Sequence, residues 1–302
     1  MTGWMLLGAG LFAQGAVSFL KADAVNHREA SPAAELLAEQ AFTFARNLIF
    51  FSAQLDGTTG SFILDTGAPR LLVNNRGVAT GTRTATGIAS SGEVALHNHR
   101  VESFQMGGQE HGKRWALALD LRALEKRMER PVDGFVGHEL LRGGELRIDY
   151  PNRTFQLRKS VRQPQHAGRQ PDLMFRFDYS DHLPVITLKV GKHKLRLALD
   201  TGAGVNLIDA RYAELFLDTG EKMNLQGLDG NNGNYSILRP GTTPSTIDRH
   251  ELTFVALPLD RLQTPGKPRI DGLLGSAFLA NYCVGIDYRR RKLYLWQTAP
   301  DH

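Results

Sequence analysis

The chain has 302 residues, 42% hydrophobic and 22% charged, with a formal net charge of +5, a composition ordinary for a globular protein of one large or two modest domains. One cysteine, Cys283, excludes an intrachain disulfide and a cysteine-rich metal centre. The mild basicity comes without an aromatic-interleaved basic stripe, so no nucleic-acid partner is expected.

In chain order, Trp4 to Leu20 is an apolar and small-residue run broken only by Gln14. It is short for a spanning helix and suits a signal-peptide core, with Ala13-Gln14-Gly15 or Ala22-Asp23-Ala24 as the cleavage site. Residues 1–24 therefore read as a signal peptide directing export, although residues 4–20 could instead stay as a membrane anchor. Glu29–Arg46 reads as a helix, and residues 25–46 are taken as a helical spacer or pro-segment, with membership of the fold left open. Leu48–Gly57 reads as a strand ending in a turn, followed by an Asp-bearing strand that closes a hairpin. Ala85–Val94 is a Gly-rich hairpin, Trp115–Leu121 a strand, Leu121–Arg130 a helix, and Glu145–Leu157 two alternating strands about a turn. Lys159–Asp172 is polar, holds two prolines and has no apolar periodicity, which makes 159–172 a linker. Beyond it Leu183–Gly191, the segment to Asp200, a Gly-rich Leu225–Tyr235, Phe254–Leu262 and Cys283–Leu295 repeat the first set. Ala210–Leu217 is a further short helix. The basic cluster Arg289–Lys292 falls in a hairpin turn.

The chain thus runs through the same elements twice, with a period of about 135 residues. Phe62-Ile63-Leu64-Asp65-Thr66-Gly67-Ala68 answers Leu197-Ala198-Leu199-Asp200-Thr201-Gly202-Ala203. Asp133-Gly134-Phe135-Val136-Gly137 answers Asp271-Gly272-Leu273-Leu274-Gly275. From Asp65 to Asp133 is 68 residues and from Asp200 to Asp271 is 71. Ile148-Asp149-Tyr150 answers Ile286-Asp287-Tyr288. A domain-sized period is a duplication, so the expected fold is all-β and bilobal about a pseudo-twofold axis, with few short helices: one lobe over 47–158, the other over 173–298.

A duplication about an axis can bring two carboxylates together. In contact, Asp65 and Asp200 cannot both ionise, because like charges repel strongly at that range. They share one proton and titrate as a unit, the ionised acid taking a proton from water and the protonated one giving a proton to a carbonyl oxygen. Gly67 and Gly202 let the backbone turn and aim N–H groups at the carboxylates. Thr66 and Thr201 can donate across the lobes, and Ala68 and Ala203 are small enough to let the loops approach.

These motifs resemble the aspartic peptidases of the pepsin and retroviral type, over residues 45–298. The Asp-Thr-Gly-Ala form is common in retroviral-type members, and the two Asp-Gly-apolar-apolar-Gly segments look like the family's ψ-loop. The resemblance implies two acid-protease-like β-barrel lobes, catalytic aspartates at Asp65 and Asp200, and linking threonines at Thr66 and Thr201. It further implies ψ-loop glycines at Gly134, Gly137, Gly272 and Gly275, and a cleft for an extended polypeptide substrate. It implies an endopeptidase needing no cofactor and no metal. The expected form is a monomer, in the manner of a bacterial tandem version. Two alternatives stand beside it: a peptide- or glycan-binding protein on the same scaffold, and repeats that pair between chains.

Other residues carry weaker signals. Asp218-Thr219-Gly220 repeats the triplet but follows a helix-like run, so Gly220 reads as a C-cap. His97 and His99 share a strand face and read as the polar side of an edge strand rather than a metal site. His138, with Ser276 in its place in the second repeat, is a candidate for the site rim. Asp120, Asp133, Asp260 and Asp271 recur at strand ends and read as turn caps. Cys283 reads as buried packing.

Overall fold

A computed structural model describes residues 17–19, 34–78, 83–89, 92–226, 232–241 and 252–298. It is mostly β, as the duplicated strand pattern predicts. The first lobe is built on the hairpin of Leu48–Leu55 and Thr58–Leu64. Its Asp56-Gly57 turn holds both residues at positive φ (49° and 78°), the twist that matches two antiparallel strands. Gly134–Val136 lies parallel to Thr58–Leu64 and antiparallel to Leu72–Asn74. Arg114–Leu119, Gly92–Val101 and Arg83–Ala89 follow in order. The second lobe repeats this order strand for strand: Leu183–Val190, His193–Leu199, Gly272–Leu274, Leu207–Asp209, Phe254–Leu257, Asn232–Arg239 and Leu217–Gln226.

A third sheet joins the lobes. Its order is Leu173–Arg176, Lys292–Gln297, Tyr282–Asp287, Glu145–Asp149, Thr154–Arg158 and Leu36–Ala41. Each repeat supplies three strands, and the two that follow the ψ-loop segments meet antiparallel at the centre, Arg147 opposite Gly285. Ile148, Val284 and Ile286 are wholly buried there, in one apolar cluster with Phe62 and Phe104 of the first lobe and Leu197 and Phe254 of the second. Continuous burial of this kind makes the two lobes one body.

Beside the apolar centre sits a buried ion pair. Arg147 donates to Glu145 Oε1 at 2.9 Å from Nε and 2.5 Å from Nη2, donates to the Gln165 carbonyl, and lies 4.5 Å above the Trp296 ring. Burial raises the Glu145 pKa and the guanidinium opposes that rise. Removing one partner of a buried pair leaves the other charge uncompensated. Arg147→Met should therefore lower unfolding free energy by about 3–5 kcal/mol, read as an earlier urea midpoint at neutral pH.

Several expectations need correction. The helix over Glu29–Arg46 is not present among the described residues: from position 36 this stretch is strand, Leu36–Ala41 on Thr154–Arg158 and Thr43–Ala45 on Leu48–Leu55. Burying Ala38 and Phe42 against the interlobe sheet overrides local helical preference. The spacer drawn over 25–46 therefore belongs in part to the fold, and the first lobe begins before 47. The helix at Ala210–Leu217 is a 3₁₀ turn over Ala210–Leu215. Gly220 is no helix C-cap but sits at a register shift within Leu217–Gln226, at φ 78°. Gly92–Val101 is not an edge strand, since Arg83–Ala89 lies outside it.

The helix expected over Leu121–Arg130 forms as Arg122–Met128. The linker 159–172 is irregular as expected, and is tied to the interlobe sheet by Trp296 Nε1–H donating to the Arg169 carbonyl. The signal or anchor segment lies outside the described residues except for Val17–Phe19, which pairs with Leu188–Val190. No described helix is long and apolar enough to cross a membrane.

Candidate active site

Asp65 and Asp200 each sit one residue past the end of an apolar strand whose neighbour is a ψ-loop segment. Asp65 N–H donates to the Val136 carbonyl and Asp200 N–H to the Leu274 carbonyl, both at 3.0 Å. The chain then turns. Gly67 and Ala68 N–H donate to Asp65 Oδ1 at 2.8 and 3.0 Å, and Gly202 N–H donates to Asp200 Oδ1 at 2.9 Å. The backbone thus aims each carboxyl inward.

The turn glycines also have a function that the sequence reading did not assign. A Cβ on Gly67 would stand 2.5 Å from Asp200 Oδ1, and one on Gly202 would collide with the Asp65 carboxyl. Each bare glycine is the space into which the opposite carboxyl fits. Likewise a Cβ on Gly137 or Gly275 would strike the Ala68 or Ala203 carbonyl. Those carbonyls accept instead from His138 and Ser276 N–H, at 2.9 and 2.8 Å. Gly134 and Gly272 press in the same way on the Leu72 and Leu207 carbonyls.

Two threonines lock the loops together. Thr66 N–H donates to Thr201 Oγ1 and Thr201 N–H to Thr66 Oγ1, both at 3.0 Å. Thr66 Oγ1 donates to the Leu199 carbonyl at 3.1 Å, and Thr201 Oγ1 to the Leu64 carbonyl at 2.8 Å. Both threonines are fully buried. This reciprocal set holds the carboxyls in mutual hydrogen-bonding contact within one chain.

Each carboxyl is walled in by protein although its residue keeps some exposed surface. Burial raises both pKa values. Asp65 rises well above the ordinary carboxylate range, pushed further by the adjacent Asp200 charge. Asp200 is held lower by its hydrogen bond with Asp65, by Gly202 and Ala203 N–H, and by His182. The pair can therefore carry one proton and one negative charge between them, titrating as a unit.

The remaining candidates fall as follows. Asp133 Oδ2 accepts from Ser61 N–H, and Asp271 Oδ2 from Arg196 N–H. Asp120 accepts from Arg122 N–H, and Asp260 pairs with Arg211 and Arg269; all four tie turns and strands. His97 pairs by backbone with Ala118 and Arg83. Cys283 is buried, which pushes its thiol up to about 12. Its sulfur lies within 4.8 Å of ligand atoms of Asp149 and His166, but Asp149 is already engaged by Asn152, and Arg147 and Arg158 add positive charge beside it. A pocket of about 240 Å³ on that side is lined by Arg147, Asp149, Arg158 and His166, not by the dyad.

Two features escaped the sequence reading. The short helices His138–Leu141 and Ser276–Leu279 follow the ψ-loops. His182 reaches the Gly67 carbonyl at 2.7 Å. Asn47 occupies the equivalent place in the first repeat and donates to the Gly204 carbonyl at 2.9 Å, a contact that neither turn's residues announce.

No protein-family model matches the chain, and the curated proteins hold no match to it.

Proposed function

We propose that the chain is an aspartic endopeptidase in which Asp65 and Asp200 share one proton, the ionised carboxyl activating a water and the protonated one donating to the substrate carbonyl. The observation that carries this reading is the contact of two buried carboxyls, both raised in pKa and each seated on the other loop's glycine, so that they share one proton. An acid and a base held together in space is what general acid–base attack on an amide requires. The resemblance of both Asp-Thr-Gly-Ala loops and both ψ-loops to aspartic peptidases supports the same reading.

The substrate is an extended polypeptide. Arg83–Ala89 reaches across from the first lobe, coming within 8 Å, Cα to Cα, of the second lobe's Asp260–Leu262. A hairpin so placed can cover a bound chain and exclude water. We further propose action as an exported monomer, on the strength of the Trp4–Leu20 run and the intrachain pairing of the aspartates.

The test is incubation of the full chain with an unfolded protein between about pH 4 and 7, a window suggested by dyad pKa values of this kind. Cleavage should occur and should be blocked by a peptide carrying a hydroxymethylene in place of the scissile carbonyl, a mimic of the tetrahedral intermediate. Retention of intact peptide without cleavage would instead favour the binding-protein reading.

A further inference from the structure

The pseudo-twofold axis equates Asn47 with His182, and Ser276 with His138. On one side, Asn47 donates to Gly204 O, while Ser276 donates to Thr201 O at 3.1 Å and meets Tyr150 OH at 3.5 Å. Neither residue can become charged. On the other side both are imidazoles, their ring centres 6.3 Å apart. His138 packs edge-on against Tyr179 and Tyr288, and its buried Nδ1 has no partner.

His182 is joined to the dyad through one peptide. Its Nε2–H donates to Gly67 O, Gly67 N–H donates to Asp65 Oδ1, and the Gly67 Cα rests against the Asp200 carboxyl. We infer that His182 is a positioning residue for the Asp65–Asp200 pair, holding the Gly67 peptide against both carboxyls and placing on one side of the axis a titratable charge that the matching Asn47 cannot supply.

The groups around His182 come from the catalytic loops, the helix after the ψ-loop, the preceding strand and its own turn. From the catalytic loops come Asp65 and Asp200, and the His182 charge draws Asp200 downward. From the helix after the ψ-loop comes His138, pushed down to about 4 by burial, by His182 and by the adjacent Arg142, so that it stays neutral above that pH. Tyr179 lies on the preceding strand, its phenol raised by burial. On the same turn Asp181 is occupied by Thr264 and Lys267.

The inference rests on the endopeptidase reading for its kinetic consequence, not for its physical one. His182→Asn puts the first repeat's residue in this place and removes the charge while retaining an amide donor; Asn47 itself reaches Gly204 O, two residues past Gly202, the counterpart of Gly67. A protonated His182 favours the ionised pair, so its loss raises the first ionisation of the dyad. The acid limb of the kcat/KM profile should move to higher pH by on the order of half a unit. His182→Ala, which also loses the bond, should in addition lower the kcat plateau about tenfold or more. Carboxyl ¹³C titration of the same proteins reads the dyad whether or not any peptide is cut. An upward move of the first carboxyl midpoint in His182→Asn supports the inference even if wild type proves inactive. Coincident midpoints in wild type and His182→Asn overturn it even if wild type is a peptidase.

Discussion

Asp65→Asn and Asp200→Asn, each made alone, should reduce peptide hydrolysis by at least about 10³-fold. Each substitution removes one half of a general acid–base pair, and the single carboxyl that remains cannot act as acid and base in the same step. The variants should nonetheless fold. The Asp65 pKa is raised in the folded protein, so the native state binds that proton more tightly than the unfolded chain does. Its stabilising contribution is complete below the ordinary carboxylate range and is lost as pH rises through the folded value. At neutral pH the asparagine variant escapes that loss and should melt no earlier than wild type. Full hydrolysis by either folded variant would remove the shared-proton mechanism. A measurement at pH 4 and at pH 7 of both activity and thermal midpoint separates lost chemistry from lost fold.

The second large effect concerns the threonines. Thr66→Val and Thr201→Val keep shape and delete one hydroxyl each. In Thr201→Val, Thr66 N–H loses its acceptor and the Leu64 carbonyl loses its donor; in Thr66→Val, Thr201 N–H and the Leu199 carbonyl are orphaned. All of this is at zero exposure for both threonines, where no water compensates. An orphaned buried group costs about 1–3 kcal/mol, so each variant should lose roughly 2–5 kcal/mol in chemical denaturation. Thr→Ser at either position keeps the hydroxyl and should recover most of it. The two valine substitutions touch one network, so the double variant should lose measurably less than the sum of the singles. Equal single losses would reflect the near-identical geometry on the two sides of the axis. A loss confined to one variant would show that one loop is braced elsewhere.

Much of this site could be read from the residues because duplication writes it twice. One Asp-Thr-Gly is ambiguous, as Asp218-Thr219-Gly220 shows by turning up at a strand bulge. Two copies with matching strands before and matching Asp-Gly-apolar-apolar-Gly segments after leave little freedom, and the structure sets Asp65 and Asp200 in contact. The strand order follows from the same repetition. What was illegible depends on contacts between distant segments. Leu36–Ala41 looks helical in isolation and is a strand only because Thr154–Arg158 offers an edge. The reason for Gly67 is not in its own loop but in Asp200, 133 residues away in sequence. The polar turns before Leu48 and Leu183 gave no hint that Asn47 and His182 reach across the axis. Symmetry exposes what is shared between repeats, and it conceals the positions where the halves have diverged.

The sheet that joins the lobes has a consequence for how such a molecule can be taken apart. Glu145–Asp149 and Tyr282–Asp287 each carry one ladder of backbone groups satisfied only by the other. A half-molecule released by cutting within 159–172 would present that ladder bare, and a bare strand edge is a template for the nearest similar strand. Two copies of one half could meet each other there almost as readily as the halves meet now. Severed lobes would therefore be expected to recombine in solution, and a lone lobe to seek its twin.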